Sequence, residues 1–267
     1  MTPATPSAAS AAPPPASPGQ PAFSPAAAPK VASPAEPLLF IVSAPSGSGK
    51  STLVREILRL IPDLEFSISY TTRRPRGSEV NGREYFFISR EEFEKRIRSD
   101  DFLEYAEVFG YWYGTAWSFL EDARRRGRDL LLDIDVQGAA KVLVRCPGAI
   151  SIFIAPPNRE TLEWRLRHRG QDPEAVMERR LRDASREIAA YNKYQYLVIN
   201  DRLEDSVERL AAIIATEREA RKGAGTDESG RQRRELARSC RQQVSAPLLA
   251  PVLRSFGVEM EVGKPGA

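Results

Sequence analysis

Hydrophobic positions along this 267-residue chain fall into short unbroken runs separated by longer amphipathic stretches. The run "LLFIVS" at 38–43 shows no polar alternation before its last residue. That pattern predicts a strand covered on both faces, as in a parallel sheet. Small residues follow, "SAPSGSGKST", and then "TLVREILRLI", in which Leu53, Ile57 and Leu60/Ile61 recur at helical spacing. A second buried strand is predicted within "LLLDIDVQG" (130–138). Elsewhere the pattern changes. "EVNGREYFF" (79–87) reads as a strand entered through an Asn-Gly turn, and the aromatic-rich "FLEYAEVFGYWYGTAW" (102–117) as a hairpin with a small core. The arginine-rich segment 158–184 predicts two helices broken at "RGQDP", with Asp172 capping the second and Pro173 in its first turn.

Composition separates the ends from the middle. Residues 1–37 hold 11 of the 21 prolines and 12 alanines, with only Lys30 and Glu36 charged. Such a segment buries too little apolar surface to offset its ordering entropy, so a disordered extension is expected over 1–37. It lacks the apolar core of a signal peptide and the Arg-rich pattern of a mitochondrial presequence, while its Ser-rich, acid-poor composition is shared by plastid transit peptides. The other end, 223–267, opens Gly-rich and turns basic ("RQRRELARSCRQQ"), and reads as a linker and basic tail of unknown role. Between the ends the charges nearly cancel, so net charge gives no argument for nucleic acid. Cys146 and Cys240 alone build no disulfide framework or zinc site and fit a reducing, cytoplasmic setting. His168 is the only histidine, which weighs against a Ser-His-Asp triad and a His-rich metal site. No run of about 20 apolar residues exists, so no membrane span is expected.

Strand, small-residue loop, helix is the context in which a phosphate-binding loop makes physical sense. Ala44, Pro45, Ser46, Gly47, Ser48 and Gly49 would let backbone N–H groups curl around a polyphosphate, at a helix N-terminus that favours anions. Lys50 would reach the terminal phosphates, the Ser51 hydroxyl would ligate Mg2+, and Thr52 completes the motif. Ala44 stands where the pattern G-x-x-x-x-G-K-[ST] has its first glycine, which is tolerable only at negative φ. The loop therefore predicts a nucleoside triphosphate, ATP with Mg2+. For an acceptor phosphate, "TTRRPR" offers Arg73 and Arg76 around the stiffening Pro75, and arginine forks suit phosphate.

The ordered motifs "SAPSGSGKST", "TTRRPR" with "EVNGREYFF", "FLEYAEVFG" with "YGT", "LDIDVQGA", "IFIAPP", "RLRHRGQD" and "VIND" resemble guanylate kinase, across residues 38–222. The resemblance implies an α/β fold: a P-loop parallel sheet core with helices on both faces, a mixed α/β GMP-binding insertion (69–128) and a small helical lid (165–185). "AISIFIA" and "YQYLVI" would be further core strands. It implies transfer of the γ-phosphoryl group of ATP to GMP, with dGMP as a second acceptor. Arg73, Arg76, Tyr85 and Tyr113 would grip the GMP phosphate, and Ser69, Glu104, Thr115 and Asp133 would surround guanine. Guanine offers two adjacent donors, which one carboxylate, Glu104, can accept; adenine offers an acceptor there and would leave Glu104 unpaired. Asp133 and Asp135 alternate with Ile134 and are expected on one side of a strand end. One would serve guanine and the other Mg2+ or its waters; the assignment adopted is Asp133 to guanine and Asp135, with Ser51, to the metal.

Arg165, Arg169 and Arg180 would point across the triphosphate from the lid, whereas Arg159, Arg167, Arg179 and Arg182 are expected in solvated ion pairs. Tyr111 and Trp112 replace the usual Asn and Tyr of the family, which predicts altered packing rather than altered chemistry. Two other readings share the core: a ribose 1,5-bisphosphate kinase, against which the guanine set argues, and an inactive binding module, against which Lys50 and Ser51 argue. RNA binding by the basic helices and tail is opposed by interleaved acids and the lack of an aromatic platform. Oligomeric state is not encoded in any of these patterns.

Overall fold

A computed structural model describes residues 36–108, 110–169, 174–223 and 227–260, without the Arg169 side chain. The expected disorder of 1–37, apart from Glu36 and Pro37, and the Asp172–Pro173 cap therefore lie outside the described residues.

The chain opens with β1 (Leu39–Ser43), α1 (Lys50–Leu60) and β2 (Leu64–Phe66). It continues through β3 (Tyr70–Thr71), β4 (Phe86–Phe87), α2 (Arg90–Arg98), β5 (Phe102–Val108) and β6 (Tyr111–Ala116). Then come α3 (Trp117–Arg126), β7 (Asp129–Asp133), α4 (Val136–Arg145), β8 (Ile150–Ala155), α5 (Arg159–Arg169) and α6 (Glu174–Ile188). A short 3-10 turn leads to β9 (Tyr196–Ile199), α7 (Leu203–Lys222), α8 (Glu228–Ser239) and α9 (Gln242–Ser255).

Five strands form a parallel sheet in the order β2-β7-β1-β8-β9. Their unbroken apolar character follows from burial on both faces. Leu39 and Ile41 of β1 and Phe153 of β8 lie on one side, in a core shared with Ala139 and Val142 of α4 and with Leu162, Leu166, Leu181 and Ile188 of α5 and α6. Phe40, Val42, Ile152 and Ile154 face the other side, against Leu53 and Ile57 of α1 and Leu210, Ile213 and Ile214 of α7. Leu60, placed by periodicity on the buried face of α1, is instead 54% exposed because the helix ends there.

A second, four-stranded sheet, β4-β3-β6-β5, rises beside the first. Its core is aromatic: Phe93 stacks on Phe102 with ring centroids 4.5 Å apart, and on Trp112 at 6.0 Å. Trp112 thus joins this cluster, while Tyr111 is exposed. Gly82 (φ 81°) makes the turn before β4, which pairs parallel with β3.

The segment read as a linker and basic tail carries α8 and α9, and both contribute to the cores. Ala237 and Cys240 close over the α1/α7 side, and Leu249, Val252, Leu253 and Phe256 over the other. Three of its basic residues are engaged by acids of α7: Arg233 and Arg234 reach Glu219, and Arg241 reaches Glu217. Asp227 caps α8, accepting from Gly230 N–H at 2.7 Å. Pro247 and Pro251 inside α9 conceal that helix from a propensity argument.

Candidate active site

The loop between β1 and α1 folds as its glycines require. Gly47 and Gly49 have φ of 90° and 88°. A Cβ on Gly49 would lie 2.5 Å from Asn200 Nδ2, and one on Gly47 would lie 2.8 Å from Leu166 Cδ2. Both positions thus need glycine for conformation and for space. Ala44 is not among the positive-φ residues, which apart from glycine are Asp63 and Asp100 among the described residues, so alanine is tolerated there.

A cleft of about 290 Å³ opens over this loop. It brings together Ala44, Pro45, Ser46, Gly47, Gly49, Lys50 and Ser51 with Ser69, Arg76, Tyr85, Glu104, Tyr113, Asp133, Asp135 and Arg180. The second sheet supplies Glu104 from β5 and Tyr113 from β6; β7 supplies Asp133. Ser48 and Thr52 lie in the loop and α1 but do not line the cleft. Ser48 instead turns its carbonyl to Asn200 Nδ2 at 2.6 Å. Thr115 is fully buried behind Glu104 and donates to its Oε1 at 2.8 Å.

Several placements differ from expectation. Asp135 is not in the strand: it is the N-cap of α4, its Oδ1 accepting from Gly138 N–H at 2.8 Å. Strand β7 ends at Asp133 and α4 begins at Val136, so strand alternation does not extend to Asp135. Asp133 bonds the Lys50 ammonium. Arg73 does not line the cleft; its buried guanidinium is held in a fork by Glu79, with both N···O distances 2.9 Å. It lies over the Tyr85 ring, 5.4 Å from the centroid. Arg165 reaches the outer side of the loop, its guanidinium donating to Ser48 O at 3.4 Å and Asn200 O at 3.2 Å. Arg167, Arg179 and Arg182 pair with neighbouring acids, as expected of solvated helix faces.

The electrostatics are those of a partly buried, charge-dense cleft. Burial pushes the Glu104 carboxyl up to about 7, with Asp135 adding to the rise and the Thr115 hydroxyl opposing it. Glu187, near the end of α6, also lines the cleft and is pushed up to about 7 by burial, against the pull of Lys50. Lys50 is lowered to about 8 by burial, while Glu187 and Asp135 act the other way. Each shift disfavours charge in the cleft, which a polyanionic ligand and its counter-ion would reverse at Lys50. Arg73 is raised, chiefly by Glu79 and also by Tyr113.

A family model described as guanylate kinase matches residues 36–217. The chain belongs to the guanylate kinase family. It is 51% identical over 222 residues to a guanylate kinase of Koribacter versatilis, covering 82% of this chain and 95% of that one. It is 47% identical over 182 residues to a guanylate kinase of Escherichia coli strain K12, covering 67% and 88% of the two chains. The crystal structure of guanylate kinase from Anaplasma phagocytophilum aligns with a TM-score of 0.57 at 33% identity, over 68% of this chain and 87% of that one. Helices α8 and α9 lie beyond the stretch matched by the guanylate kinase model.

Three residues have no role in the sequence reading of this guanylate kinase family member: Glu79, Glu187 and Asn200. Glu187 is seven positions after Arg180 on α6, hence on the same helix face, and that spacing is the available signal. Asn200 sits in the "VIND" motif, but its reach to Ser48 spans 152 positions. Nothing in local pattern marks Glu79 as the partner of Arg73.

Proposed function

We propose that the cleft over the 44–52 loop carries out the phosphoryl transfer of the guanylate kinase family, from ATP to GMP, with the following division of labour. The loop N–H groups and Lys50 hold the β- and γ-phosphates. Arg76, Tyr85 and Tyr113 hold the GMP phosphate, with Arg73 behind them. Glu104 reads guanine, supported by Thr115, Ser69 and Asp133. The arginines of α5 and α6, Arg165, Arg169 and Arg180, neutralise the triphosphate.

The observation that carries this reading is Glu104. It is 5% exposed, and one of its oxygens is already satisfied by Thr115. A carboxylate so placed suits the two adjacent N–H donors of guanine, which favour its charged form against the burial that raises it. The acceptor is a phosphate oxygen, ionised at neutral pH because the second phosphate pKa is about 6, so no general base is needed. Catalysis is then alignment and charge neutralisation around an in-line transfer. Lys50 exchanges its Asp133 partner for phosphate, which frees Asp133 for guanine.

The donor set fits a phosphate-bound Mg2+. Among the described residues no group of three acids, cysteines or histidines forms a metal cage. Mg2+ on a nucleotide needs none, because phosphates and waters supply most ligands. The exposed Ser51 hydroxyl in the cleft would hold it, with Asp135 beyond. Bound there, Mg2+ would neutralise charge on the β- and γ-phosphates.

A coupled assay of the full chain with ATP and GMP, dGMP, AMP or ribose 1,5-bisphosphate tests the reading. Turnover of GMP and dGMP with little of AMP is expected. Equal turnover of AMP, or turnover of ribose 1,5-bisphosphate alone, would overturn it.

A further inference from the structure

A second groove, of about 380 Å³, lies on the outer side of the phosphate loop. Gly47, Gly49 and Thr52 of the loop and α1 line it together with Trp164 and His168 of α5 and with Asp201. Of the loop residues it shares only Gly47 and Gly49 with the acceptor cleft. A polyphosphate wrapped by the loop, with its terminal group toward the acceptor, must send its nucleoside out on the other side.

Trp164 is 60% exposed at this groove. It is stacked on His168, one helical turn later, with ring centroids 4.2 Å apart and 31° between planes. His168 Nδ1 lies 2.8 Å from the Trp164 carbonyl, which orients its ring. The opposite face of α5 is anchored: Leu162 and Leu166 are buried directly beneath Gly47. The pair is therefore an aromatic surface on a fixed helix, open to solvent beside the phosphate loop. Arg167, the next exposed side chain on α5, is tied to Glu163 and Glu174 and leaves the rings uncovered.

We infer that Trp164, backed by His168, is the stacking platform for the purine base of the nucleoside triphosphate donor. This rests on the reading of the 44–52 loop as the triphosphate site. An aromatic face takes up a flat base through stacking and burial of both surfaces, without a hydrogen-bond code. Arg165 and Asp201 in the same groove leave polar groups at its edges.

The test measures ADP and tripolyphosphate binding by calorimetry, and steady-state kinetics, for the wild type, Trp164→Ala and Trp164→Phe. The expected result is ADP affinity reduced about 5- to 150-fold in Trp164→Ala, the range for removing an aromatic from under a base. Trp164→Phe restores most of it. Tripolyphosphate, which has no base, binds all three alike, and KM for GMP is unchanged. Because Trp164 is exposed, the melting temperature stays near that of the wild type. Unchanged ADP affinity in Trp164→Ala overturns the platform, and so does an equal weakening of tripolyphosphate. If the wild type failed to phosphorylate GMP, the proposed function would fall, yet the ADP comparison would still decide the platform.

Discussion

Replacing Glu104 by Gln is the sharpest probe of the site. The carboxylate accepts from Thr115 Oγ1 at 2.8 Å through Oε1, which a glutamine oxygen can continue to do. The amide nitrogen then occupies the other oxygen's position and presents N–H to guanine's own donors. Leaving buried donors without an acceptor costs about 2–4 kcal/mol, so kcat/KM for GMP should fall roughly 30- to 900-fold. The fall should lie mainly in KM. AMP, which gains nothing from a carboxylate, should be affected far less, so the GMP/AMP preference narrows. A stability effect of opposite sign follows from the same residue. Its pKa is raised from 4.5 to about 7 in the folded protein, so the contribution of Glu104 to stability is fully present below 4.5 and lost as pH rises through about 7. Above that pH the ionised fold carries a cost of about 3 kcal/mol, which Glu104→Gln removes. The ligand-free variant should therefore melt several degrees higher than the wild type at pH 8, and alike at pH 4.5. Kinetics with both monophosphates and thermal denaturation across pH check the two halves. Equal loss of GMP and AMP turnover would refute base reading by Glu104. No gain in melting temperature at pH 8 would refute the burial argument.

Lys50→Ala should abolish turnover while retaining the fold, since the side chain touches Asp133 and the cleft rather than either core; near-normal activity would remove the loop from the mechanism. Glu79→Ala leaves the buried Arg73 guanidinium without its fork, so stability should drop by about 3 kcal/mol, and GMP should restore part of it by supplying an anion. A melting temperature independent of GMP in that variant argues against Arg73 as a phosphate group. Ending the chain at Gly223 uncovers the cores under Leu249, Val252, Leu253 and Phe256, each worth about 1.5–3 kcal/mol when buried. A cooperative fall in melting temperature of about 10 °C or more is expected, and an unchanged one would show that α8 and α9 are dispensable. Lowering pH from 8 to 6 should raise KM for GMP more steeply in the wild type, where Glu104 protonates near 7, than in Glu104→Gln, where only the phosphate, Lys50 and Glu187 still titrate; identical profiles would argue against Glu104 as the titrating base reader.

What can be read from the chain itself is whatever is local or periodic. The β1–loop–α1 unit is legible because its glycines, its lysine and its apolar spacing lie within 23 consecutive positions of 38–60. Strands buried on both faces announce themselves as unbroken apolar runs, and Glu104 is legible through its motif. Tertiary structure decided what depends on partners distant in sequence. Asn200 and Arg165 meet the carbonyl of Ser48 from 152 and 117 positions away. Glu79 takes Arg73, Asp133 takes Lys50, and Asp135 leaves the strand to cap α4. Helices α8 and α9 stay hidden because an amphipathic face, interrupted by prolines and flanked by basic residues, gains its meaning only from the surface it covers. Local conformation is set by each residue's own sterics and period; the pairing of charges and the burial of faces are set by the folded chain as a whole.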